Sequence, residues 1–134
     1  MFDRLFGKKR AAPPFVLPSE ENCVVRDSGV RYEMLREGRG RPGGGWHLRR
    51  VKIHHAGWTM NGELFDSSYE RGKPEWHAIN GIIKGWSEMV QLMREGGVAV
   101  FVVPPVRAYG KLGRPPLIGP NESLVFRIEL LSAR

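Results

Sequence analysis

A single stretch of this chain carries a convincing helical spacing. Trp86, Met89, Val90 and Met93 fall at i, i+3, i+4 and i+7, the apolar stripe of a 3.6-residue period. Gly96-Gly97 then offers a C-terminal stop. Around this stripe the periodicity is two, not 3.6. Val30, Tyr32 and Met34 alternate with Arg31 and Glu33, and Val51, Ile53 and His55 alternate with Lys52 and His54. Asn61-Gly62 is a hairpin signal leading into Glu63 to Ser67. A short strand is expected across Trp76 to Ile79. Val98 to Val103 is a continuous, Val-rich apolar run, which favours a buried strand. Leu124, Phe126, Ile128 and Leu130 alternate with Arg127 and Glu129 in a last strand. Pro104 to Pro120 holds five prolines and three glycines, which makes it a long loop of the kind that often carries function. The expectation is an α+β domain: a bent five- or six-stranded antiparallel sheet wrapped around one short helix.

The 134 residues suffice for one domain with a real core. No apolar run approaches the 18 or more residues of a membrane span, and no membrane partner is expected. Cys23 is the sole cysteine, so no internal disulfide forms. The N-terminus, MFDRLFGKKRAAPP, lacks the apolar run of a secretory signal. The cytoplasm is therefore expected, with organelle targeting by the basic arm left open. Residues 1–22 show no periodicity and read as a flexible arm, although Phe2, Leu5 and Phe6 could form one amphipathic turn. The net charge of +7 is uneven: residues 1–50 hold eleven Lys/Arg against six Asp/Glu. That is either an electrostatic footprint for nucleic acid or a solvated arm. With no aromatic interleaving and no nucleic-acid motif, a direct nucleic-acid function is not expected.

Several strings occur together and in order: HHAG at 54–57, FDSSYERGKP at 65–74, IIKGWSEMVQLM at 82–93, AYG at 108–110 and LVFRIELL at 124–131. Over roughly residues 28–132 the chain resembles the FKBP family of peptidyl-prolyl cis-trans isomerases. The resemblance implies an isomerase domain over 28–134 behind a basic, Pro-containing arm at 1–27. It implies a pocket floored by Trp86 and walled by Phe65 and Phe126, with Tyr109 as hydrogen-bond donor and Asp66 as the pocket carboxylate. Arg71 would hold that carboxylate. Ile82 and Ile83 would form the edge segment, and Leu117 and Ile118 the apolar tip of the overhanging loop. Taken singly, Trp86 and Phe126 read as core, Tyr109 as a loop anchor, and Phe65-Asp66 as a strand end. Their joint order carries the resemblance. Implied partners are proline-containing polypeptides and rapamycin-type macrolides. No cofactor is implied, and a monomer is expected. The alternative is a weakly catalytic or non-catalytic binding module of the same fold for proline-containing segments.

Four positions depart from the family pattern. His55 stands where a tyrosine is usual, on the pocket side of its strand. Glu75 and His77 replace residues that are usually apolar or aromatic, and Arg114 lies on the long loop. His55 is expected beside Asp66, with activity that follows its titration. Glu75 is expected to bias the site towards basic residues near the target proline. No metal site is expected. His54 and His55 point to opposite faces of a strand, His47 lies across the turn region, and Cys23 lacks a partner.

Overall fold

The computed structural model describes residues 10–45 and 47–134. The strands are β1 (Val24–Val25), β2 (Arg31–Arg36), β3 (Arg50–Thr59), β4 (Leu64–Ser67), β5 (Glu75–Ala78), β6 (Val98–Val103) and β7 (Leu124–Ala133). They form one antiparallel sheet in the order β1-β2-β6-β7-β3-β4, with β5 added to the lower half of β3. Seven strands stand where five or six are expected. The extra one, β1, is two residues long, too short to show a period. Asn61-Gly62 forms the β3–β4 turn, with Gly62 at φ +86° and the Thr59 N–H bonded to the Glu63 carbonyl at 2.9 Å.

Helix α2 (Lys84–Leu92) lies on one face of the sheet. Trp86, Met89 and Val90, with Met93 at its C-terminal cap, pack against Ile53, Phe101, Phe126, Ile128 and Leu130. Each such burial contributes about 1.5–3 kcal/mol. The helix stops at Leu92, before the glycine pair, because Met93 is already extended at φ −101°, ψ 166°. A one-turn helix missing from the sequence reading, α1 (Ser68–Arg71), follows β4 directly. Its cap is Ser67, whose hydroxyl accepts from the Glu70 N–H at 3.3 Å. Four residues hold too few positions for a helical period to register.

The apolar run of β6 is buried on both faces. Ala99, Phe101 and Val103 face α2, whereas Val100 and Val102 join Ala56, Trp58, Tyr69 and Val125 on the outer face. That outer cluster is covered by Ala12 and Phe15. The Phe15 ring meets Trp58 edge-on at 5.8 Å, and the Arg10 N–H bonds the Tyr69 carbonyl at 3.0 Å. The stretch read as a flexible arm is thus laid against the sheet from Arg10 to Phe15. Phe2, Leu5 and Phe6 lie outside the described residues.

Candidate functional site

Strand β3 builds one side of the site. Its two-residue period sends His54 to the outer face, stacked on Tyr69 at 4.2 Å, and His55 to the inner face against Trp86 at 4.7 Å. Ser68, at the start of α1, accepts from the His55 backbone N–H at 2.8 Å, which ties α1 to β3 beneath the site. Gly57 follows on the same inner face. A Cβ there would stand 2.7 Å from Phe65 and 2.8 Å from Phe126, so glycine is what lets those two rings close over the strand. Ile83 caps α2, its carbonyl accepting from the N–H of Trp86 at 3.0 Å and of Ser87 at 3.1 Å. The cap sets the indole at the start of the helix, directly under the sheet.

All eleven residues singled out from the sequence line one cavity of about 640 Å³: Asp66, Tyr109, Phe65, Trp86, Phe126, His55, Arg71, Ile82, Ile83, Leu117 and Ile118. Trp86 meets Phe126 edge-on at 5.2 Å, and Phe126 meets Phe65 edge-on at 5.7 Å. Leu117 is exposed at the loop tip. Ile118 is instead buried in the main core, at 3 % exposure, so only the first of the pair is a tip residue. Gly81, Pro115 and Pro116 also line the cavity. They carry no chemistry by which a sequence reading could pick them out.

One wall is a hydrogen-bonded ion cluster. His55 Nε2 lies 2.7 Å from Asp66 Oδ2, and Arg71 bonds the other Asp66 oxygen. An ionised carboxylate only accepts, so Nε2 carries the His55 proton. Burial alone would raise the Asp66 carboxyl. The hydrogen bonds from His55 and Arg71, with the charge of Arg71, outweigh it and hold the group well below the usual carboxylate range. Arg71 also grips Glu75 with both arms, Nε to Oε2 at 2.6 Å and Nη2 to Oε1 at 2.9 Å. This bond is the main cause of a lowered Glu75 carboxyl. One guanidinium is thus shared between the Asp66 and Glu75 carboxylates. At the rim Arg114 donates to the Tyr109 hydroxyl at 3.1 Å, which leaves the phenolic proton free to donate into the cavity.

The family model for FKBP-type peptidyl-prolyl cis-trans isomerases matches residues 47–131. The chain belongs to the FKBP family. The Mip peptidyl-prolyl cis-trans isomerase of Coxiella burnetii is 38 % identical over 107 residues, covering 80 % of this chain and 46 % of its own length. A probable FKBP-type isomerase of Haemophilus influenzae is 44 % identical over 81 residues, 60 % of this chain and 34 % of its own. The chain thus spans half or less of these two relatives. Among solved structures, FkpA of Escherichia coli matches 86 % of this chain and 53 % of its own with a TM-score of 0.79 at 35 % identity. A peptidyl-prolyl isomerase of Pseudomonas syringae pv. tomato matches 86 % of this chain and 83 % of its own with a TM-score of 0.77 at 30 % identity. Among the described residues of this FKBP domain no helix is long and apolar enough to cross a membrane.

The ion cluster makes an acid-side prediction. The Asp66 and Glu75 carboxyls are both depressed by folding. The stability they confer is fully present above the ordinary carboxylate range, near pH 4, and is lost as pH falls through their folded values. Urea midpoints of the FKBP domain are therefore expected to drop between pH 4 and 2. The drop should be shallower in Asp66→Asn than in wild type; parallel pH profiles would refute it.

Proposed function

We propose that this chain is a peptidyl-prolyl cis-trans isomerase that accelerates rotation about X-Pro bonds in polypeptides and so assists their folding. One observation carries the reading: Phe65, Trp86, Phe126 and Ile83 share a single cavity with Asp66 and Tyr109. The amide resists rotation with a barrier of ~18–20 kcal/mol. At ~20 kcal/mol the spontaneous rate is on the order of 0.01 per second, and about a thousand per second requires roughly 7 kcal/mol less. No bond breaks, so neither nucleophile nor metal is called for.

Resonance in the planar amide places negative charge on the carbonyl oxygen. The twisted amide is less polar, so an apolar enclosure favours it over the planar ground state. The rigid proline ring rests on the Trp86 indole at small entropic cost. The backbone N–H of Ile83 and the hydroxyl of Tyr109 hold the flanking carbonyls in a turn-like pose. Asp66, fixed from both sides by His55 and Arg71, orders the wall and takes no proton. Clients are proline-containing polypeptides, and rapamycin-type macrolides compete for the same apolar floor. The chain is further proposed to work as a monomer in the cytoplasm. Its half-exposed free thiol at Cys23 is compatible with a reducing compartment.

A cis-trans exchange assay on X-Pro peptides tests the reading. Trp86→Leu removes the floor, about 2 kcal/mol of contact, and is expected to lower turnover roughly thirtyfold. Tyr109→Phe removes one hydrogen bond, about 0.5–1.5 kcal/mol, and lowers turnover about two- to tenfold. Wild-type protein that leaves exchange at its spontaneous rate defeats the proposal.

A further inference from the structure

Glu75 and His77 take no part in the turnover proposed above, yet both face its cavity. They lie two residues apart on β5, which puts them on one face while Trp76 between them turns outward. β5 pairs with β3 with Ile53 opposite Glu75, and His55 is the next residue along that face of β3. One ligand-capable atom from each of His55, Glu75 and His77 falls within 4.8 Å of the other two. His77 Nε2 is buried without a hydrogen-bond partner, its nearest acidic neighbour being Glu75 Oε1 at 3.8 Å.

The same place already holds a cationic nitrogen. Arg71 Nη2 sits 2.9 Å from Glu75 Oε1 and 3.4 Å from His55 Nε2. With the Nε2 proton of His55 directed at Asp66, that second approach sets donor against donor. Glu75 draws the cation in, and the imidazole is left with nothing to offer it. The Arg71 side chain is 44 % exposed, so its guanidinium can withdraw towards solvent while it keeps Asp66.

We propose that His55, Glu75 and His77 form a three-ligand site for a divalent transition-metal ion of the Zn²⁺, Co²⁺ or Ni²⁺ class, which enters by displacing the Arg71 guanidinium from Glu75. Two imidazoles and a carboxylate suit these ions and not Mg²⁺ or Ca²⁺. The fourth position opens to the cavity, as in three-ligand zinc sites. Metal–ligand bonds of ~2.0–2.2 Å put tetrahedral ligand atoms about 3.4 Å apart, so the widest pair closes by up to roughly 1.4 Å. Glu75 and His77, each about a quarter exposed, have room to supply that movement. His55 binds through Nε2, which requires it to give up its hydrogen bond to Asp66 and to carry its proton on the buried, unpartnered Nδ1. The rings of His55 and His77 both stand edge-on to Trp86, at 4.7 and 5.6 Å, so a bound ion intrudes above the indole. Inhibition of isomerisation follows, and that consequence rests on the prolyl reading of the cavity.

The test is titration with Co²⁺, followed by the intense visible bands of four-coordinate cobalt, together with Zn²⁺ calorimetry at pH 7.5. Wild type is expected to bind one ion. Glu75→Gln and His77→Phe should each weaken binding about tenfold or more, and Arg71→Met should strengthen it about tenfold. Absence of binding in wild type, or an affinity indifferent to Glu75, His77 and Arg71, overturns the site. Neither readout involves proline turnover, so the metal site and the isomerase activity can fail independently.

Discussion

Replacing Phe101 by alanine is expected to destabilise the domain by about 3–5 kcal/mol, the range for deleting a buried phenyl ring from a core that cannot fully collapse. Phe101 is fully buried at the centre of the sheet, paired with Tyr32 on β2 and Phe126 on β7. Its ring lies against that of Phe126 at 5.7 Å. The strand on either side holds its place through hydrogen bonds, so the vacated space stays open. Against a typical total of about 5–15 kcal/mol, the loss leaves a marginal fold. Urea unfolding should show a lower midpoint with an unchanged slope. A loss under about 1 kcal/mol would mean the sheet relaxes far more than its register suggests.

Gly57→Ala is expected to separate stability from the proposed activity. The added methyl would stand 2.7 Å from Phe65 and 2.8 Å from Phe126, where carbon–carbon contact needs about 3.5–4.0 Å. Both rings must retreat by roughly 1 Å, and both are walls of the cavity. Overpacking of this kind costs about 1–3 kcal/mol of stability. A displacement of about 1 Å at a reacting site can cost on the order of a hundredfold in rate. The expected result is a folded protein whose kcat/KM on X-Pro peptides is about a hundredfold lower. A variant with wild-type kinetics would show that ring placement at Phe65 and Phe126 is immaterial to turnover.

The polar wall is where the sequence and the structure diverge most. Asp66, Arg71 and Glu75 span ten residues, and the charge of each can be read from its letter. The family resemblance implies that Arg71 holds Asp66; that the same guanidinium also takes Glu75 is readable from neither letters nor resemblance. Glu75 has no partner nearby that its spacing would single out, and it is the one-turn helix α1 that brings Arg71 over both carboxylates. His77 likewise lacked an apparent role, because its neighbour His55 is far away in sequence and near only across the β3–β5 pairing. The metal reading from sequence weighed His47, His54, His55 and Cys23 and did not consider the pair on β5.

Helix α2, six of the seven strands and the hairpin turn were legible in the periodicity of the chain, and the ring-lined pocket in the order of its family motifs, because periodicity and motif order are local or collinear properties. The packing of residues 10–15 on the outer face was not, since an arm without a period reveals its partner only when Trp58 and Tyr69 are assembled as a surface. Nor was the pairing of Glu75 with Arg71, or the gathering of one ligand atom each from His55, Glu75 and His77 within 4.8 Å. Charge compensation and ligand geometry depend on distances of a few ångströms between strands, and only the pairing of β3 with β5 and the turn of α1 set those distances.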